Sequence, residues 1–98
     1  MKFSEVLDAL KDGERLTNAT LSDMLAFIVR QVPHIVPAEV IPKMTSLPES
    51  AKNHIKGEDL QYLDQVLLVY WSPMQGRYIA KQYTPTWGDI FREDWTIA

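Results

Sequence analysis

Eight of the ten aromatic side chains fall in the last 37 residues: Tyr62, Tyr70, Trp71, Tyr78, Tyr83, Trp87, Phe91 and Trp95. Arg77, Lys81 and Arg92 interleave with them. Aromatic faces stack on nucleobases, and a guanidinium pairs with phosphate through two parallel hydrogen bonds. The same mixture also builds cores and subunit interfaces, and a small domain needs large side chains to fill its centre. Most of these rings are therefore expected inside. Trp71 and Tyr78 are different. They flank one hairpin together with Tyr70 and Ile79, and those four cannot all face one core. The remainder must meet a ligand, a partner subunit or water.

Catalytic groupings are sparse. The two histidines, His34 and His54, have no second His at metal-ligand spacing. There is no cysteine, hence no disulfide, no zinc ribbon and no thiol nucleophile. The four glycines are scattered, so no Gly-rich phosphate loop exists. The serines lack the setting of a nucleophile elbow. Glu93 and Asp94 are adjacent, as are Glu58 and Asp59. Neighbours on a chain diverge, whereas acid–base work needs groups that converge. No metal site, no catalytic residue and no cofactor is expected.

The elements that must position the aromatic residues read as α+β. Residues 4–12 make a short amphipathic helix, with Val6, Leu7 and Leu10 on one stripe, Ser4 as N-cap and Gly13 as stop. A strand is expected to begin within 14–16. Thr17–Thr20 is turn-like, and Leu21–Met24 is a turn or a short helical piece. Leu25–Val32 is rich in β-formers and apolar on both faces at first, which predicts a strand covered on both sides. Pro33, Pro37, Pro42 and Pro48 forbid a regular helix or a central strand through 33–50. The apolar residues among them predict a packed, extended loop with a short edge strand. Glu49–Ile55 makes one or two helical turns. Gln65–Trp71 and Arg77–Tyr83 form a hairpin over about 65–83, joined by Ser72-Pro73-Met74-Gln75-Gly76. Thr86 and Asp89 make a capping box for a short C-terminal helix, Trp87–Glu93. Asp94–Ile97 then returns as a terminal strand. The sum is an N-terminal helix, a small antiparallel sheet, a short C-terminal helix and a final strand.

Length and charge fit one small domain over 1–98. Hydrophobic residues are 46% and charged residues 23%, which excludes disorder as the main state. The net charge of −3 argues against general DNA or RNA binding, which usually needs a basic face. No apolar run reaches the roughly 18 residues of a membrane span, and Met1–Glu5 shows no signal-peptide core. The chain reads as soluble and cytoplasmic.

The stretch Tyr83-Thr84-Pro85-Thr86-Trp87-Gly88-Asp89-Ile90-Phe91-Arg92-Glu93-Asp94-Trp95 resembles the ending of small phage proteins that counter the Thoeris defence system, the second type of anti-Thoeris protein. That ending runs aromatic-x-Pro-Ser/Thr-x-x-Asp-apolar-x-x-x-Asp-Trp. The opening is similar too: Phe3, Val6, Leu7 and Leu10 on an apolar helix closed by Lys11-x-Gly13, and then Met24 before an apolar strand. The resemblance covers both ends, about half of the chain. It implies a small α+β protein that assembles as a homo-oligomer, typically a tetramer, in the cytoplasm of an infected bacterial cell. It implies binding of a cyclic nucleotide alarm signal, a cyclic ADP-ribose isomer or a cyclic dinucleotide, at subunit interfaces and without cleavage. The chain departs from the family pattern after the first helix. Asn18-Ala19-Thr20-Leu21-Ser22 stands where the family carries Arg-x-Gly-Trp-Asn-Gly, whose Trp belongs to the ligand pocket. Either another cyclic nucleotide is bound, or only the scaffold is kept.

The residues expected to contact such a ligand are Trp71, Arg77 and Tyr78 on the hairpin, with Tyr83, Thr86 and Asp89 where the last helix starts. Backbone N–H groups there favour an anion, while Asp89 would bond ribose hydroxyls or cap the helix. A rival reading is a protein-interaction module, in which segment 33–48 and the surplus aromatics bind a host protein. A nucleotide hydrolase is the least favoured reading.

Overall fold

The computed structural model describes residues 1–98. The chain divides into two compact units, residues 1–31 with 65–98, and residues 32–64.

The first unit opens with helix α1, Phe3–Lys11. It starts earlier than the Ser4 cap predicts. Lys2 takes the cap position, and its N–H donates to the Glu5 carboxylate at 3.0 Å. Ser4 lies inside the first turn. Gly13 ends the helix with φ +85°, a backbone region that costs glycine little. Strand β1, Leu16–Thr17, follows. Helix α2, Ala19–Asp23, is capped by the buried Asn18, whose side chain accepts from the Leu21 N–H at 3.0 Å. Strand β2 is Phe27–Gln31. After the second unit come β5, Gln65–Ser72, and β6, Arg77–Gln82. Helix α4, Trp87–Phe91, and β7, Thr96–Ile97, end the chain. The five strands form one antiparallel sheet in the order β6-β5-β2-β1-β7.

Register decides which residues share a face. Leu16 sits opposite Ile28, Ile28 opposite Leu68, and Leu68 opposite Lys81. Cross-strand partners point to the same side of a sheet. That row runs from the core outward: Leu16 and Ile28 are buried, Leu68 is half-buried and Lys81 is exposed. Val6 and Leu10 of α1 pack on its buried end, and Trp95 completes the cluster with no exposed surface. The flanking residues of β2, Phe27 and Val29, are only half-buried. The cover on both faces expected for this strand is thus complete only at Ile28, on the side that α1 occupies.

Trp95 precedes β7 rather than lying within it. Its ring meets Phe3 edge-to-face at 5.9 Å, and its indole N–H donates to the Asp89 carbonyl at 2.9 Å. The amino group of Met1 donates to the carbonyls of Glu93 and Trp95. Both ends of the chain thus close on the same ring.

The second unit pairs β3, His34–Val36, with β4, Leu60–Tyr62, as a separate antiparallel ribbon. His34 stacks on Tyr62 at 5.2 Å. Between them lie a 3₁₀ turn, Ile41–Lys43, and helix α3, Glu49–His54. Ile41 is buried. The Lys52 ammonium donates to the carbonyls of Pro42 (3.4 Å) and Met44 (2.8 Å) and pairs with Glu49 at 2.9 Å. The packed loop and short strand expected here are both present. The partner strand β4 has no counterpart in the sequence reading.

Removing the central ring tests this account. Trp95→Ala leaves a cavity among Val6, Leu10, Leu16 and Ile28, and its expected cost is about 3–5 kcal/mol. Against a total of roughly 5–15 kcal/mol, the urea midpoint falls steeply. Trp95→Phe keeps most of the packing but leaves the Asp89 carbonyl without its donor, at about 1–3 kcal/mol. A Trp95→Phe midpoint equal to that of wild type would show that the hydrogen bond contributes nothing, and equal midpoints for the two variants would show the same of the packing.

Candidate ligand-binding cleft

A cleft arises because two strands of the sheet have unequal lengths. Strand β2 starts at Phe27, opposite Val69. Strand β5 runs on through Tyr70, Trp71 and Ser72, still paired with β6 but with no β2 neighbour on its other side. The turn after α2 stands there instead. Between them opens a cleft of about 500 Å³. Asp23, Met24, Leu25 and Ala26 line one side, and Leu68, Tyr70, Trp71, Pro73 and Lys81 line the other. Leu68, Tyr70 and Lys81 continue the face on which α1 packs, with Leu68 still against the buried cluster. Trp71 has the opposite parity but borders the same cleft where β5 overhangs. The lining offers two aromatic rings, one cation and one carboxylate. The Lys81 ammonium lies 6.0 Å from the centre of the Tyr70 ring.

Leu25 shapes this cleft through an unusual backbone. It has φ +52°, the left-handed region, and is the chain's only non-glycine residue with positive φ. The surrounding hydrogen bonds explain why. The Leu25 N–H donates to the Ser22 carbonyl at 3.1 Å, and the Ala26 N–H donates to the Leu21 carbonyl at 2.8 Å. That pair of bonds is a Schellman ending for α2, and its left-handed position normally holds glycine. A leucine there costs roughly 1–2 kcal/mol. A strand was expected to begin at Leu25, and this helix ending is what delays it to Phe27. A second, shallower cleft of about 280 Å³ lies across the same turn. It shares Leu25 and Ala26 and adds Arg15, Ser22, Phe27 and Tyr78. The Arg15 guanidinium sits 5.2 Å from the centre of the Phe27 ring.

The six residues expected at a site fall into two groups. Trp71 and Tyr78 are cross-strand partners and meet edge-to-face at 5.1 Å. Trp71 lines the larger cleft and Tyr78 the shallower one. Arg77 is next to them, opposite Ser72, with its Nε–H reaching the Gln75 carbonyl at 3.4 Å. Tyr83, Thr86 and Asp89 lie toward the other end of the hairpin. The Tyr83 N–H bonds to the Val66 carbonyl, five residues along β5 from Trp71, or about 17 Å at strand rise. Thr86 and Asp89 satisfy each other as a capping box: the Thr86 N–H donates to the Asp89 carboxylate at 2.9 Å, and the Asp89 N–H donates to the Thr86 hydroxyl at 3.1 Å. The Tyr83 hydroxyl is buried with no well-formed hydrogen bond. Burial first, and then the adjacent Asp89 carboxylate, hold its pKa far above the ordinary tyrosine value.

Arg92 and Asp94 fasten this second group to α2. Arg92 donates to both oxygens of Asp94, at 2.6 and 2.8 Å, and to the Thr20 hydroxyl at 3.2 Å. Asp94 also accepts from the Ala19 N–H at 3.1 Å. The guanidinium, and then that N–H, pull the Asp94 carboxyl down to about 2.

Sequence reasoning missed Met24, Leu25 and Asp23 as cleft residues. Lys81 and Tyr70 were visible as part of the aromatic–basic interleaving, but nothing local separates them from their neighbours. What selects them is the register, in particular the pair Leu68–Lys81 and the overhang beyond Val69. No group of three His, Asp or Glu side chains is arranged to hold a metal ion. No helix is long and apolar enough to cross a membrane.

The model of the Tad2-like domain, described as the Thoeris anti-defense 2-like domain, matches residues 1–98. The chain belongs to the Thoeris anti-defense 2-like family. The match spans the middle segment, which the resemblance read from the two ends left out. No curated protein matches the sequence. The Tad2-like assignment gives the chain an anti-defence role directed at Thoeris. The Arg92–Asp94–Ala19 latch then becomes part of this Tad2-like scaffold: it holds α2, and with it the cleft wall, to the C-terminal segment.

The latch has a pH signature. Asp94 is ionised in the folded state down to pH about 2, against an ordinary value of 3.8. A depressed carboxyl stabilises the fold above the unfolded pKa, and that contribution is lost as pH falls through the folded pKa. It is therefore full above pH about 4 and disappears toward pH 2. Side-chain carboxyl NMR should place the Asp94 midpoint near 2. In Arg92→Ala it should move most of the way back to 3.8, the Ala19 N–H keeping the rest. An unmoved midpoint would take Arg92 out of the latch.

Proposed function

We propose that the protein sequesters a cyclic nucleotide defence signal, a cyclic ADP-ribose isomer or a cyclic dinucleotide, and holds it without cleavage in the cleft between the α2 turn and the β5–β6 hairpin. The observation that carries this is the lining of the cleft in a Tad2-like chain: Tyr70 and Trp71 beside Lys81, in a space of about 500 Å³. Ligand sites of this kind run roughly 300–1,000 Å³. Rings of the bases stack on the aromatics, and the ammonium faces a phosphate. The segment at which related proteins carry a pocket Trp forms α2 and its cap, directly before the cleft wall. Trp71, across the cleft, supplies an indole from the other side. Arg77 and Tyr78 extend the same end of the hairpin toward the phosphates. Tyr83, Thr86 and Asp89 form a separate polar cluster that serves the ligand only if it reaches along the strands or is shared with a second subunit. Assembly as a homo-oligomer in the cytoplasm of an infected bacterium belongs to this proposal.

A sponge works stoichiometrically, so affinity matters and turnover does not. Capture of a sub-micromolar signal needs Kd near 10 nM, about −11 kcal/mol. Stacking at about 1–3 kcal/mol per base and charge-assisted bonds to phosphate are of the right order.

One observation favours the rival reading of a protein-binding module. Trp87 and Phe91 stack on each other at 5.7 Å along one side of α4 and remain 73% and 72% exposed. Under that reading, a pull-down returns one stoichiometric host protein and the purified chain carries no nucleotide.

Capture and release separates the readings. The protein is mixed with cyclic ADP-ribose isomers and cyclic dinucleotides, and the small-molecule fraction is analysed before and after heating. A ligand that vanishes and returns intact supports sequestration. One that returns altered, from substoichiometric protein, makes the chain an enzyme. For the captured compound, Trp71→Ala should weaken binding about 5- to 150-fold, the loss of one stacked base. Arg77→Ala should abolish capture with the fold intact, and unchanged affinity would remove Arg77 from the site.

A further inference from the structure

We infer that Leu25 is a ligand-contact and specificity residue, the wall that fits the cleft to a planar aromatic ring carrying an anion. This rests on reading the cleft as the ligand site.

Three observations meet at this position. The backbone of Leu25 is left-handed, at φ +52°, in a helix ending that glycine fills at lower cost. Its side chain is 65% exposed and that of Met24 beside it 53%, so core packing does not account for either. Leu25 also borders both clefts. A residue that is unfavourable for the backbone, unneeded by the core and exposed as hydrocarbon to water is not explained by stability. Strain of this kind is kept where a side chain must be presented in one direction. Here the direction is set by the paired bonds to Ser22 and Leu21.

The chemistry of the opposite wall names the ligand class. Tyr70 and Trp71 offer rings, and Lys81 offers a cation. Leu25 and Met24 offer only hydrocarbon. A flat heterocycle lies between hydrocarbon and aromatic walls, with its charged substituent toward Lys81. Without the Leu25 side chain the larger cleft opens into the shallower one, and a single ring no longer fills the space.

The test compares wild type with Leu25→Gly and Leu25→Ala in the full chain. One readout is thermal unfolding. A second is retention of cyclic ADP-ribose and 3′,3′-cyclic di-AMP by ultrafiltration. The third uses 1-anilinonaphthalene-8-sulfonate, a planar aromatic anion, titrated while the Met24 methyl signal is followed by NMR. Leu25→Gly should melt level with wild type or up to about 8 °C above it, as relief of the strain requires. Its affinity for the naphthalene sulfonate, read at Met24, should fall at least fivefold, and retention of any captured cyclic nucleotide should fall at least tenfold. Leu25→Ala keeps the β-carbon without the wall and should lose affinity in the same way. Unchanged affinity in both variants overturns the proposal, and so does a Met24 methyl that ignores the probe in wild type. A lower melting point for Leu25→Gly overturns it too, because the side chain would then be structural. If neither cyclic nucleotide is retained by wild type while the fivefold loss at Met24 is seen, the sequestration reading fails for those compounds and the role of Leu25 stands.

Discussion

Burial of the Trp95 ring is the constraint on which the larger unit depends. An indole of this size removes about 150–250 Å² from water, worth roughly 4–6 kcal/mol by area. That is a large share of the net stability of a domain this small. The ring comes from the last residue of the connection between α4 and β7, yet it contacts Phe3 near the opposite end of the sequence. Its N–H holds α4 through the Asp89 carbonyl. Helix α1 is held over Leu16 and Ile28 by the same cluster. With α1 and α4 committed to this one region of the sheet, the overhanging end of β5 is left without helical cover. The cleft is a consequence of where the core is, not a separate construction.

The polar contacts follow the same geography. Where the last helix begins, Thr86 and Asp89 satisfy the first free N–H groups. Where it ends, Arg92 and Asp94 reach across to α2. That second contact matters because α2 is only five residues long and has little stability of its own. Asn18 caps it, Leu21 packs against the core, and the latch holds its first turn. One wall of the cleft is therefore the turn that ends a short helix tied down at its start, while the other is a continuous hairpin.

What could be read from the sequence divides along the range of the interaction. The hairpin from Gln65 to Gln82, its Pro73–Gly76 turn and the Thr86–Asp89 capping box are specified by residues within a few positions of one another, and all are present. The first helix was legible from its stripe, but its start was not: Ser4 has the right chemistry for a cap, and the reciprocal contact of Lys2 with Glu5 moves the boundary back. Leu25 was illegible for a sharper reason. Its type favours a strand, and only the requirement of α2 for a terminating turn places it in the left-handed region. The ribbon of β3 with β4 joins residues more than twenty positions apart across prolines, so no local pattern announces it. Of the candidate site, Trp71 and Tyr78 were legible as surplus aromatics of one hairpin. Their neighbours across the cleft belong to another part of the chain, and only strand register brings them near.

The second unit leaves the sheet after Gln31 and rejoins it at Gln65, and those two residues are partners on adjacent strands. Their α-carbons are therefore only about 5 Å apart, the spacing that a tight reverse turn also spans. Loop-closure entropy rises slowly with length. A segment that departs and returns across one rung can be shortened, lengthened or exchanged without shifting any other rung of the ladder. Residues 32–64 can therefore change in length at a small entropic cost while the β2–β5 ladder keeps its register.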